Sequence, residues 1–240
     1  MKSLLIVNVG SAPQNQLEKY GDFELWAQKA IGTTPLPIRF HDGIHGLFPP
    51  YDELAGMIIM GSLSMVTEQT AWMTSLSQHI RALHQQHIPM LGICFGHQLI
   101  AHALGGKVDV NPQGLELGTV EISKHPEHDP LFSSLPDTFP AQAIHYQSVL
   151  TLPVGAHRLA ASKMDPHHAF RVGDNTWGVQ FHPEFSAAIM NDMIADLNTQ
   201  LGDKLCSDLQ TKTCQTPLAT SILPRFAKHC LDNVLTQEQA

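Results

Sequence analysis

Cysteine is scarce in this chain: four residues among 240, at Cys94, Cys206, Cys214 and Cys230. Three of them crowd toward the C-terminus, which is no disulfide framework, so the expectation is a reduced, cytoplasmic protein in which Cys94 stands apart. Positive charge is thin as well. Fourteen Lys and Arg face 22 Asp and Glu, for a formal net charge of -8. No basic run could neutralise a row of phosphates, so nucleic acid and anionic membrane surfaces are not expected as partners. Long apolar runs are missing too. Leu4 to Val7 falls far short of a signal peptide's hydrophobic region, and no later run has the length of a membrane span.

What is present is 43% apolar against 15% charged residues, enough for a sizeable core, which excludes a disordered or fibrous chain. Leu4-Leu5-Ile6-Val7 reads as a buried strand. Phe23, Trp26, Ala27 and Ala30 mark a helix face that stops at Gly32. Further strands are expected around Ile38 and Phe40, at Met57 to Met60 running into Gly61, and at Pro89 to Ile93. Between the last two, Trp72, Leu76, Ile80 and Leu83 stripe a helix. Alternating strands and helices with uniformly apolar strands indicate an α/β fold: a doubly wound, mainly parallel sheet with helices on both faces.

From Gly118 to Gly178 the rhythm shortens to a meander of strands such as Val120 to Ile122, Ala143 to Tyr146 and His157 to Ala161. Met190, Met193, Ile194, Leu197 and Leu201 outline a late helix. Gly202 to Pro217 reads as a polar surface connection, and a last helix starts at Ser221 with Pro224 in its first turn. The expected organisation is one domain over residues 1–200 and a C-terminal extension over 201–240, whose final helix packs on the same domain.

The most informative stretch is Gly92-Ile93-Cys94-Phe95-Gly96-His97-Gln98-Leu99. A buried strand ends at Cys94, and Phe95, Leu99, Ile100, Ala103 and Leu104 begin a helix face that Gly105-Gly106 terminates. Gly-x-Cys-x-Gly at such a junction is the thiol form of a nucleophile elbow, in which glycines permit a sharp turn. The helix start would favour a thiolate and offer the Phe95 N–H to a developing oxyanion. Alone, the pattern fits a buried structural cysteine equally well. A base must decide between them, and of 15 histidines His182 is distinctive. Trp177 to Phe181 reads as a strand that Pro183 breaks, which leaves His182 at a strand's C-terminal end with Glu184 two residues on to orient the ring.

Gly-Ile-Cys-Phe-Gly-His-Gln-Leu followed downstream by His-Pro-Glu resembles the class I, triad-type glutamine amidotransferase family, most of all its stand-alone members similar to the glutaminase domain of GMP synthase. The resemblance covers about residues 1 to 200. It implies Cys94 as nucleophile, His182 as general base and acid, Glu184 as the orienting carboxylate, and Gln98 as a contact to the substrate's glutamine moiety. It also implies an oxyanion hole from the backbone N–H groups of Phe95 and Ser62, with Gly61-Ser62-Leu63 standing where the family usually has Gly-Gly-Pro. His145-Tyr146-Gln147-Ser148-Val149 resembles the segment whose backbone contacts the glutamine α-substituents, so Tyr146 and Gln147 are expected at the substrate. Glu116-Leu117-Gly118 matches a further segment, expected to be structural.

The implied reaction is hydrolysis of a glutamine γ-carboxamide through a cysteinyl γ-glutamyl thioester. The alternatives are a stand-alone γ-glutamyl peptidase or transferase, another α/β cysteine hydrolase, and a non-enzymatic binding or regulatory module. No cofactor is expected. Gly106-Lys107 lacks the rest of a phosphate-binding loop, and neither His84 with His87 nor His125 with His128 has a third metal ligand beside it. An ammonia-accepting synthase subunit, if one serves this chain, is expected as a separate polypeptide.

Overall fold

The structure is a computed structural model that describes residues 2–126 and 128–238. Its parallel strands are β1 (Ser3–Asn8), β2 (Ile38–Asp42), β3 (Leu54–Ile59), β4 (Met90–Ile93) and, much later in the chain, Thr176–Val179. Between them come β5 (Lys107–Val110), β6 (Glu116–Lys124), β7 (Thr138–His145), β8 (Gln147–Thr151), β9 (Ala156–Ala161) and β10 (Ala169–Val172), which makes Thr176–Val179 strand β11. Within the described residues the main sheet runs β2-β1-β3-β4-β11-β10-β9-β6-β7, and β5 pairs with β8 separately. The pairs from β2 through β11 are parallel and those from β11 through β7 antiparallel. The expected doubly wound parallel sheet and its short-strand meander are therefore two halves of one sheet.

Burial explains the parallel half. Every residue of β3 and β4 is buried, as continuous apolar strands covered on both faces require. One face packs on helices α1 (Gln14–Tyr20), α2 (Phe23–Ile31) and the C-terminal helices, and the other on α3 (Ala71–Gln85) and α4 (Phe95–Ala103). Asp22 caps α2 by accepting from the Phe23 N–H, and Gly32 ends it at φ 71°, a left-handed conformation suited to glycine.

The C-terminal region departs from expectation in two places. The helix outlined by Met190 to Leu201 is broken: α5 (Ala187–Asp196), capped by the Ser186 side chain, ends at Leu197, and a short α6 (Asn198–Leu201) follows. The stretch Gly202 to Pro217 is not a surface connection, because most of it is helix α7 (Asp203–Lys212). Its apolar face is narrow, with Cys206 buried and Leu209 packed on the same core, so two positions three apart hold it down where a polar average suggested a loop. After α8 (Pro217–Thr220), α9 (Ile222–Glu238) places Leu223, Phe226 and Cys230 in the core that contains Leu4 and Ile6. Among the described residues no helix is long and apolar enough to cross a membrane.

The parallel strands matter because their C-terminal ends share one edge of the sheet, where Val9, Gly61, Cys94 and the segment leading to His182 emerge. At that edge α4 presses on the strands. A Cβ on Gly96 would stand 2.3 Å from the Ile59 carbonyl oxygen, and one on Gly92 would stand 2.3 Å from the Gly96 carbonyl carbon. Gly96→Ala is therefore expected to force α4 off β3 and to destabilise the fold by ~1–3 kcal/mol or more, as overpacking does, read as a lower denaturant midpoint at unchanged slope.

Candidate active site

Strands β4 and β11 are parallel neighbours with Ile93 opposite Val179, so the residues that follow them emerge side by side. Cys94 continues the pairing, its N–H donating to the Val179 carbonyl at 2.9 Å. It then turns the chain into α4 at φ 50° and ψ -101°, a backbone state that few non-glycine residues adopt. This is the elbow that the two glycines anticipate. It places the thiol at the helix N-terminus, where Phe95, the first helical residue, has an N–H without an intrahelical acceptor.

After β11 the chain crosses toward β7, and the His182 N–H donates to the Gln142 carbonyl at 2.8 Å. Ring position follows from three contacts. Nδ1 donates to Glu184 Oε1 at 2.8 Å, Phe185 stacks on the ring at 4.0 Å between centroids, and Gly61 leaves room for it, since a Cβ there would stand 3.1 Å from His182 Cε1 and 3.8 Å from Cys94 Cβ. Phe185 is in turn held by Trp26 of α2. Burial opposes a charge on the ring, but the Glu184 carboxylate and Cys94 together outweigh it and raise the His182 pKa to about 10. A pKa raised this far favours the imidazolium at neutral pH, which sets a cation beside the Cys94 sulfur. Cys94 Sγ also donates to the Ile144 carbonyl at 3.6 Å.

Cys94, His182 and Glu184 open on one cavity of about 160 Å³, whose lining also includes Ser62, Phe95, Gln98, Tyr146 and Gln147. Every residue singled out from the sequence for catalysis or substrate contact thus reaches the same space, with distinct commitments. Gln98 gives both hydrogens of its amide to the protein, at 2.7 Å to the Gln147 carbonyl and 3.0 Å to Gln180 Oε1. Gln147 donates from its side chain to Thr67 Oγ1 at 2.7 Å. Tyr146 is partly exposed and donates its hydroxyl to Gln200 Oε1. Ser62 turns its hydroxyl away from the elbow to the Val9 carbonyl at 2.7 Å, beside Gly10, whose missing side chain makes the space.

Sequence reasoning did not single out Ile144, whose carbonyl meets the thiol, nor Phe23, Met193 and Leu197, which line the cavity. Their apolar character reads as core, and only the turn of the chain brings them to the mouth. Nor did it foresee that Glu116, His145 and His168 converge. Each offers one donor atom within 4.8 Å of the others, the one such group among the described residues that could hold a metal ion.

Known proteins bear on this geometry in two ways. Residues 48–198 match the family model described as Glutamine amidotransferase class-I. The chain is 36% identical over 159 residues to Gamma-glutamyl peptidase 4 of Arabidopsis thaliana, spanning 63% of this chain and 63% of that protein. It is 34% identical over 143 residues to the glutamine-hydrolyzing GMP synthase of Porphyromonas gingivalis, spanning 56% of this chain and 27% of the synthase. The match thus covers less than two thirds of either relative. In fold, the chain resembles the crystal structure of a glutamine amidotransferase from Thermotoga maritima, with a TM-score of 0.73 at 19% identity, covering 97% of this chain and 99% of that one. Since the family model spans more than half of the sequence, the chain belongs to the class I glutamine amidotransferase family.

Proposed function

We propose that the protein hydrolyses the γ-carboxamide of glutamine, or the γ-amide of a γ-glutamyl compound, through a thioester on Cys94. The observation that carries this reading is the seating of Cys94 at a strained helix start beside a histidine that a buried carboxylate orients. Cys94 thiolate attacks the amide carbon, and the resulting oxyanion turns toward the N–H groups of Phe95 and Ser62. Imidazolium His182 protonates the departing nitrogen as the C–N bond breaks, leaving a γ-glutamyl thioester. Neutral His182 then takes a proton from water, which attacks the thioester, and the thiol leaves with the returned proton as glutamate is released. Glu184 orients the ring and stabilises its cationic form. No step calls for a cofactor, and the free thiols suit a cytoplasmic setting.

Two outlets exist for the nitrogen. In a glutaminase it leaves as ammonia for a separate synthase subunit. In a γ-glutamyl peptidase it stays on the released peptide. The peptidase outlet is favoured by the more even match to Gamma-glutamyl peptidase 4, which spans 63% of both chains, against 27% of the synthase. Ser62 bears on the choice, because one oxyanion donor is worth ~3 kcal/mol. Steady-state assays of the protein alone decide. Turnover of a γ-glutamyl peptide near ~10 per second, the median for enzymes, is the peptidase outcome; slow turnover that rises on adding a synthase subunit is the glutaminase outcome.

Labelling tests the nucleophile. A glutamine-shaped diazo-ketone is expected to modify Cys94 first, ahead of buried Cys206 and Cys230 and exposed Cys214; peptide mapping that finds Cys94 untouched overturns the assignment. Variants separate the roles: Cys94→Ala and His182→Ala should abolish thioester formation in mass spectra, whereas Glu184→Gln should retain measurable turnover. The pH response has a definite sign. With a pKa near 10 the wild-type ring stays charged at pH 8, while in Glu184→Gln its pKa falls, the charge is lost and alkylation of Cys94 at pH 8 slows.

A further inference from the structure

A γ-glutamyl amide has two halves, the glutamyl group that stays on Cys94 as the thioester and the amine that leaves, and the cavity has two kinds of wall. One is polar. Gln98 and Gln147 are joined through the Gln98 amide, which donates to the Gln147 carbonyl at 2.7 Å and to Gln180 Oε1 at 3.0 Å. The other is apolar and begins at the histidine. Phe185 stacks on the His182 ring at 4.0 Å between centroids, Trp26 stands edge-on to Phe185 at 5.5 Å, and Phe23 edge-on to Trp26 at 5.1 Å. Helix α5 starts two residues after Phe185, and its Met193 and capping residue Leu197, four apart on one helix face, line the cavity together with Phe23 and Phe185.

Chemistry assigns the halves to the walls. His182 hands its proton to the departing nitrogen, so the substituent on that nitrogen lies beside the imidazole and against the wall that continues from it. Among the described residues lining the cavity there is no lysine, arginine or aspartate, and the one carboxylate, Glu184, is bonded to His182. An ammonium or a carboxylate held against that wall would give up hydration without a partner, and departing ammonia would leave the wall bare. We propose that the apolar wall is a subsite for the leaving amine, and that the preferred donors are γ-glutamyl amides whose amine carries a branched-alkyl or aryl substituent. The inference rests on the γ-glutamyl reading of the site and names the substrate class within it.

Met193 and Leu197 are the specificity-determining side chains of this subsite. Ser186 fixes the start of their helix two residues after Glu184, its hydroxyl accepting from the Ile189 N–H at 3.2 Å. One short segment therefore carries the proton donor, the carboxylate that orients it and both apolar contacts. Met193 is buried and Leu197 half-buried. A thioether adapts to irregular shapes, so the subsite suits several apolar outlines rather than one. The same γ-glutamyl thioester remains whichever amine has left, so the preference belongs to kcat/KM, which reports acylation, and hydrolysis of the thioester is common to all donors.

The test gives the full wild-type chain glutamine and the γ-glutamyl amides of methylamine, isoamylamine and putrescine, all primary alkylamines, so that the bond broken is alike in the three amides. The kcat/KM of the isoamylamide should exceed that of the methylamide by ~10-fold or more, the low end of what one methylene is worth in an apolar pocket. It should exceed that of the putrescine amide, whose free end is an ammonium, by at least as much. In Leu197→Ser the isoamyl-to-methyl ratio should fall toward parity, and Met193→Gln gives the same reading where Leu197→Ser does not fold. Glutamine as the best donor, equal values for the isoamyl and methyl amides, a preference for the putrescine amide, or an unchanged ratio in both folded variants would overturn the inference and leave the thioester chemistry standing. A wild type that forms no thioester with any of the donors in mass spectra would overturn the functional reading, and the inference with it.

Discussion

The contact between helix α4 and strand β3 is the constraint on which the site depends. With glycine at 96, the helix backbone comes against the Ile59 carbonyl at a distance that admits no side chain. That approach fixes where the helix begins, and the beginning of the helix fixes Cys94 in its left-handed turn. A thiol at the end of a relaxed strand would point along the sheet edge without a fixed partner. Here it is held between His182, delivered by the adjacent strand, and the Ile144 carbonyl opposite. The strain at one residue is sustained by packing at several others, the usual arrangement where a backbone is held in a sparse conformation.

The two halves of the sheet achieve order differently. Inside its edge strand β2, the parallel half is mostly apolar on both faces and needs little beyond burial. The antiparallel half carries buried carboxylates held by specific partners. Asp129 accepts from Trp177 Nε1 and lies 3.0 Å from Arg171 Nε; Glu116 takes two histidines; Glu184 holds His182. Ion pairs in such places gain little net stability against well-packed apolar alternatives, but losing one partner is costly because the other is left charged in a poor solvent. They sit where the sheet must hold specific side chains toward a cavity and apolar packing alone would not choose an orientation.

Much of this was legible in the sequence for reasons that follow from the same division. Continuous apolar runs announce parallel strands, and Gly-x-Cys-x-Gly at a strand's end announces the elbow. His182 before a proline that stops its strand was legible for the same reason. The antiparallel half was legible only as a rhythm, because Glu116 and His145 become partners through register across β6 and β7, which spacing along one chain does not reveal. Helix α7 escaped because Cys206 and Leu209 make too short an apolar stripe to stand out from its polar neighbours. The break at Leu197 escaped because Leu197 and Leu201 continue the apolar periodicity of α5 across it.

Ser62 and Gly10 have a consequence for how this loop can vary. The Ser62 hydroxyl donates to the Val9 carbonyl and also accepts from the Ser64 N–H at 3.2 Å, so one side chain ties the loop after β3 both to the chain leaving β1 and to itself. A methyl group on residue 10 would stand 3.1 Å from that hydroxyl. The two positions therefore compete for space: a side chain at residue 10 would push the Ser62 hydroxyl by a few tenths of an ångström and strain the bond that ties the two loops together. A chain with a second glycine at 62 would lose that bond and, with it, the contact that a side chain at residue 10 would meet.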